Sequence, residues 1–429
     1  VMSGRLAIVV TCLVLASAGV APPARAAEEI DAAPIHYHSA ATTDAVAQLQ
    51  KAIDSGRVQL DWDKRWGWLP AVLKELEIPH ESQMLVFSKT SLQVHKISPS
   101  RPRALYFSDD AYVGWVQRGD VLEVTAVDPV NGPIFYSLNQ HQTEAPRFKR
   151  DTGQCLSCHN NRRTRDVPGF LVRSVYPDDR GHVLSQLGGD VTDPTTPFED
   201  RYGGWYVTGN VAGVSHRGNA LYSDLNDKAT DSPSTPLPLG KACNPKRYLT
   251  PHSDLVSLMV LEHQAQMHNA ITRASYEGRR ADSYNQTWGK MLEKPKGFEF
   301  KVSVSRLDRA AEQLLECLLF SGEQRLPGEV AGSSGFATRF EQAGRRDTTG
   351  RSLRDFDLRT RLFKHPCSYL IYSDSFAALP VPILKRINQR LGEVLRGEDQ
   401  SPAFAHLSGE DREAIAQILH ETNAPVALR

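Results

Sequence analysis

About a third of the way along the chain stands Cys155-Leu-Ser-Cys158-His159, and any fold must leave room there for what two thiols and an imidazole at that spacing hold. Thiols three positions apart each add to one vinyl group of the same porphyrin, and the histidine that follows reaches the iron from one face. Two other readings stand beside this one. A structural zinc site needs four nitrogen or sulfur ligands, usually with a second closely spaced pair, and Cys12, Cys243, Cys317 and Cys367 do not form one. A redox dithiol is expected beside a β-α-β pattern and leaves the adjacent histidine without a role. The motif occurs once, so the expectation is one haem c, covalently bound, with His159 as proximal ligand.

The first residues read as an export signal. Arg5 precedes the apolar run Leu6 to Val20, and Ala24-Arg25-Ala26 supplies the small residues of a cleavage site. The run is shorter than the roughly twenty apolar residues of a spanning helix, and Pro22-Pro23 follows it. Segment 1–26 is therefore expected to be cleaved near Ala26, Cys12 going with it. The expected location is the periplasm, or another compartment outside the cytoplasm, with no integral membrane segment.

Lysine plus arginine and aspartate plus glutamate number 50 each, so no overall field recruits nucleic acid or an anionic surface. A redox partner protein would have to be read by a local patch, and the oligomeric state is open. Beyond the haem pair, Cys243, Cys317 and Cys367 remain, an odd number. A Cys317–Cys367 bridge and a buried, hydrophobe-like Cys317 are both compatible with an oxidising compartment.

From Ser82 to Leu138, short β-branched and aromatic runs alternate with turn residues: 84–87, 104–107, 112–116, 121–127 and 134–138, broken by Asp109-Asp110, Arg118-Gly119-Asp120 and Asn131-Gly132-Pro133. This pattern predicts an antiparallel meander, with helices at 43–53 and 69–76 ahead of it. After the motif, 170–176 and 182–187 predict a hairpin about Pro177–Gly181, and 204–208 a further strand. Residues 222–253 read as a long loop. Helices are expected at 253–277, 305–320, 382–396 and 408–422, the last capped by Ser408. The fold class is α+β: a β-rich region over 27–150, a haem-attachment region over 151–225 and a mainly helical region over 250–429, the last two possibly one unit. It is not a small helical cytochrome domain, because the motif follows a β-rich region and the next methionine is the distant Met259.

What faces the iron opposite His159 decides the chemistry. His216, in Ser-His-Arg-Gly-Asn after a glycine-rich run, and His263, on the segment Leu-Glu-His-Gln-Ala-Gln-Met-His-Asn, are the two candidate distal ligands. Met267, His268 and His182 are lesser ones, and a vacant or water-bound position is the remaining option. On the same segment Glu262, Gln266, Asn269 and Arg273 form a polar stripe that either borders a polar cavity or, as is usual for such helices, meets water. Arg162, Arg163 and Arg165, directly after the motif, suit the haem carboxylates, with a solvated basic turn as the alternative.

On Cys155, Cys158 and His159 the chain resembles the c-type cytochromes. The resemblance implies thioether attachment, ligation by His159 and electron transfer outside the cytoplasm. The runs Asp110-Ala-Tyr-Val-Gly-Trp-Val, Gly203-Gly-Trp-Tyr-Val-Thr-Gly and Leu258–Asn269 are similar to large, uncharacterised bacterial proteins with a cytochrome c motif, a similarity that implies no reaction. The leading expectation is a periplasmic monohaem protein passing single electrons, with a second histidine on the iron. The alternatives are a haem oxidoreductase with an open distal site, acting on a peroxide, nitrogen-oxide or sulfur species, and a relay subunit of a larger redox complex.

Overall fold

A computed structural model describes residues 29–211, 213, 215–222 and 239–427. The signal-like segment 1–26, with Cys12, and half of the long loop expected over 222–253 lie outside the described residues.

The alternating run after Ser82 folds as the antiparallel meander its periodicity predicts. Strands β1 (Met84–Val86), β2 (Arg103–Phe107), β3 (Ala111–Trp115), β4 (Val121–Asp128), β5 (Gly132–Asn139) and β6 (Phe148–Arg150) pair in sequence order. The β4–β5 turn is set by Asp128, whose Oδ1 accepts from the Val130 and Asn131 amides at 3.1 and 2.8 Å, and by Gly132 at φ +74°. A strand from beyond the motif, β9 (Trp205–Tyr206), adds to β1 and completes seven strands. The segment after the cysteine motif and the meander thus share one sheet.

Because side chains alternate between faces, the register assigns them. Leu85, Ala104, Tyr106, Val113, Val124 and Tyr136 are buried with Val46 of helix α1 (Ala45–Asp54) and Leu69 and Val72 of α2 (Leu69–Glu75). On the opposite face Met84, Phe107, Tyr112 and Val127 join a second core. The middle of that face differs: Arg103, Leu105, Glu123, Thr125 and Ser137 are only partly buried. A strip of sheet beside the cysteine motif is therefore left uncovered by helix.

The second core is built on α3 (Leu255–Met291), flanked by α4 (Lys301–Leu318), α5 (Phe336–Gln342), α6 (Val381–Leu395) and α7 (Gly409–Glu421). The architecture is α+β, with the sheet in the first half and the helices mostly in the second. Asp254 caps α3 through the Ser257 amide at 3.0 Å, and Ser408 with Asp411 forms a capping box on α7. Helix α3 runs well past the expected 277, since its later turns pack on α4.

The expected 170–176/182–187 hairpin is corrected. Strand β7 (Arg173–Val175) pairs instead with β8 (Gly189–Val191), and Ser185–Leu187 is a 3-10 turn. Only the Pro177–Val183 bridge lies where the tighter hairpin was expected. The Cys317–Cys367 bridge is corrected too: both thiols are free and buried, and Cys317 Sγ takes a contact from Arg165 Nη2 at 3.2 Å.

Candidate haem-attachment site

The motif sits on a single helical turn, Leu156–His159, whose start is held from outside. Asp151 Oδ2 accepts from the Gly153 and Cys155 amides at 3.0 and 2.9 Å, supplying the cap that so short a helix lacks by itself. Leu156 is buried against the sheet, Cys155 is half-buried and Cys158 is exposed. One thiol thus faces protein and the other solvent.

The chain then doubles back onto His159. Asn161 caps the turn 162–164, accepting from the Arg163 amide at 2.9 Å while its own amide donates to Thr164 Oγ1 at 3.0 Å. Arg165 and Asp166 adopt left-handed backbone, and Thr164 Oγ1 donates to the Val167 carbonyl at 2.7 Å. Gly169 consequently lies opposite His159 and makes two bonds with it. Its amide donates to the His159 carbonyl at 2.9 Å, and its carbonyl accepts from His159 Nδ1 at 2.8 Å. A carbonyl can only accept, so Nδ1 carries the proton and the lone pair is on Nε2. Phe135 of β5 packs against the ring, with centroids 5.0 Å apart.

The polar stripe of α3 fixes this loop from behind. Asn269 Oδ1 accepts from the Phe170 amide at 2.8 Å and Nδ2 donates to the Phe170 carbonyl at 2.9 Å. Gly169 permits the approach, since a Cβ there would stand 2.4 Å from Asn269 Oδ1. Arg273 Nη1 donates to the Arg165 carbonyl at 3.1 Å, Gln266 Nε2 to Asp193 Oδ2 at 3.0 Å, and Glu262 meets Arg201 at 3.2 Å. The stripe expected to face water instead grips the segment 165–201, one residue per turn.

Across the uncovered strip, Arg103 Nη2 pairs with Glu123 Oε2 at 2.6 Å, and Gly114 between them leaves room for the guanidinium, which a Cβ would meet at 2.3 Å. Burial, then Asp151 and Glu123, push the Cys155 thiol up to about 12. Burial also lowers the His159 imidazole, which keeps it neutral. Among the described residues no three His, Cys, Asp or Glu side chains converge to hold a bare metal ion.

This donor set suits a covalently held haem. It offers two thiols free for thioether bonds, an imidazole with its Nε2 lone pair free, and Arg103 Nε, a buried donor without a partner that matches a carboxylate. Arg162 and Arg163 lie exposed on the 162–164 turn. Sequence reading missed Arg103, and also Arg173, a half-buried guanidinium that senses Arg163 and Cys158. No protein-family model, curated protein or solved structure matches this chain.

The candidate distal histidines lie on several elements and differ in ring polarity. His216 is buried edge-on to Phe198 and Tyr202, and its Nδ1 accepts from the Gly218 amide at 3.0 Å. Burial holds it down to about 4, hence neutral, so its proton is on Nε2 and its lone pair is used. His263 stacks on Phe320 at 4.1 Å and bonds Ser368 Oγ through Nε2 at 2.7 Å. His268 donates Nε2 to the Asp109 carbonyl at 2.9 Å, and Met267 is fully buried. His182 is exposed beside Asp178 and Lys89. Among the hydrogen bonds and ring contacts of the described residues none joins these side chains to His159, while His263 Nδ1 and His268 Nδ1 are buried without a partner.

Proposed function

We propose that the chain is an exported monohaem c-type redox protein, holding haem through Cys155 and Cys158 with His159 as axial ligand. When bound, haem supplies an iron that gains and loses one electron. The observation that carries this reading is the Nδ1–H of His159 donating to the Gly169 carbonyl, which fixes ring orientation and leaves Nε2 as the coordinating atom. The loop 161–170, gripped by Asn269 and Arg273, holds that carbonyl in place. Arg103 places a cation and an unused N–H near the same ring, suited to a haem carboxylate. The exposed Cys158 side gives a partner protein its approach to the redox group.

The test is expression with export and haem-attachment machinery, followed by optical redox titration. A reversible one-electron transition supports the reading, whereas a folded protein without haem overturns it.

A second reading, an exchangeable position opposite His159, is favoured by the ring polarity of His216 and the enclosure of His263. In that reading the protein is a haem oxidoreductase acting on a small molecule and not solely a carrier. It expects carbon monoxide to bind the reduced protein readily and His216→Ala to leave the spectrum unchanged. Loss of a low-spin spectrum in His216→Ala would restore the two-histidine form.

A further inference from the structure

The far end of the α3–α4 hairpin is unlike the rest of the surface. From Lys290 to Glu299 every residue is exposed, and Trp288, Met291, Leu292 and Phe298 present large apolar side chains there, Met291 with 64% of its surface open. Val302 follows on the first turn of α4, 54% exposed. These groups are not satellites of the core, since Tyr284, Trp288, Phe298 and Phe300 chiefly touch one another, with centroids 5.0 to 6.1 Å apart. A contiguous apolar tip of this kind marks a surface that leaves water.

The charges around it are biased. Lys290, Lys294, Lys296 and Lys301 surround the tip, against Glu293 and Glu299. Glu299 is held by Arg386 at 3.0 Å, while among the described residues no ion pair holds any of the four lysines. Lys294 instead lies over the Phe298 ring at 5.4 Å. Behind the tip a groove of about 830 Å³ is walled by Lys290, Lys294, Lys296 and Lys385 beside Asp282 and Glu299.

We propose that this tip docks on an anionic bilayer surface, its Trp288, Met291, Leu292 and Phe298 side chains entering the boundary between headgroups and acyl chains while the lysines meet lipid phosphates. Apolar and aromatic groups interleaved with lysine are the composition of interfacial anchors, whose long cationic stems lie along apolar surface with the charge in the headgroups. A narrow, wholly exposed turn suits insertion of a few side chains, whereas a stable protein partner needs on the order of 800 Å² of matched surface on each side. Among the described residues no helix is long and apolar enough to cross a membrane, and the tip itself is too short to do so.

The experiment is co-sedimentation of the full protein with vesicles made of equal parts phosphatidylglycerol and phosphatidylcholine, and with phosphatidylcholine alone. Binding is expected to the mixed vesicles, to weaken with added salt, and to fall at least about tenfold in Trp288→Ser/Met291→Ser/Leu292→Ser. Lys290→Glu/Lys294→Glu/Lys296→Glu is expected to abolish the preference for anionic lipid. All six sites are solvent-facing, and an unchanged melting temperature shows that each variant folds. No sedimentation with mixed vesicles, or full binding by the apolar triple variant, overturns the proposal. Self-association lost in that variant, without vesicle binding by wild type, assigns the tip to a second copy and likewise overturns it.

Discussion

At the scale of single residues, the site depends on one side chain that touches no cofactor. Asn269 satisfies both the amide and the carbonyl of Phe170, next to the carbonyl that orients His159. Asn269→Ala leaves two buried backbone groups without partners and is expected to cost about 2–4 kcal/mol in urea unfolding. Asn269→Asp keeps the acceptor but sets a buried carboxylate oxygen against the Phe170 carbonyl, so it is expected to cost at least as much as Asn269→Ala at neutral pH, the same urea unfolding reading both. Nothing in the sequence singled out this pairing: Asn269 was legible as one member of a polar stripe, but its partner is backbone, and backbone acceptors leave no mark in residue type. The same holds for His216, whose ring polarity is set by the Gly218 amide. Arg103 lies far upstream of the motif in the chain, and only the folded sheet sets it beside Glu123 and within electrostatic reach of Cys155 and His159.

At the scale of elements, α3 organises both halves of the molecule, and its start is the most connected cap. Asp254 accepts from the Ser257 amide through Oδ1 and from the Ser333 and Ser334 amides through Oδ2, the latter two at 2.7 Å, all from a fully buried position. Asp254→Ala is expected to lower stability by about 3 kcal/mol or more, combining a lost cap of about 1 kcal/mol with buried amides left unbonded. Ser408→Ala, at the exposed capping box of α7, is expected to cost only about 1 kcal/mol, and chemical denaturation of the two variants side by side checks the difference. The long strands and helices were readable because period-two and helical patterns persist over many residues. The β7–β8 pairing was not, since Pro177–Gly181 does form a local turn at Asp178 while the true ladder closes farther out, at Gly189 and Val191.

At the scale of the whole molecule, buried neutral histidines tie stability to pH. Burial holds His216 and His268 at about 4 and His263 at about 3, each below the ordinary 6.5. The folded values lie below the unfolded one, so this contribution is complete above about pH 6.5 and is lost as pH falls toward the folded values. By pH 5 each histidine withdraws about 2 kcal/mol. Urea unfolding across pH 5–7 is expected to show that decline, and His263→Leu to make it shallower by about one histidine's share. The α+β architecture, with its sheet before the motif and its helices after it, followed from the order of periodic runs. That β9 crosses back to the meander did not, because a two-residue strand carries no periodicity. The proposed redox role turns on the chemistry of Cys155 and Cys158, and the mass of the tryptic peptide spanning 151–162 from exported protein reads it directly. The peptide is predicted to carry one covalently bound haem, lost in Cys155→Ala/Cys158→Ala. An unmodified peptide, or one closed by a disulfide between the two cysteines, would contradict the account.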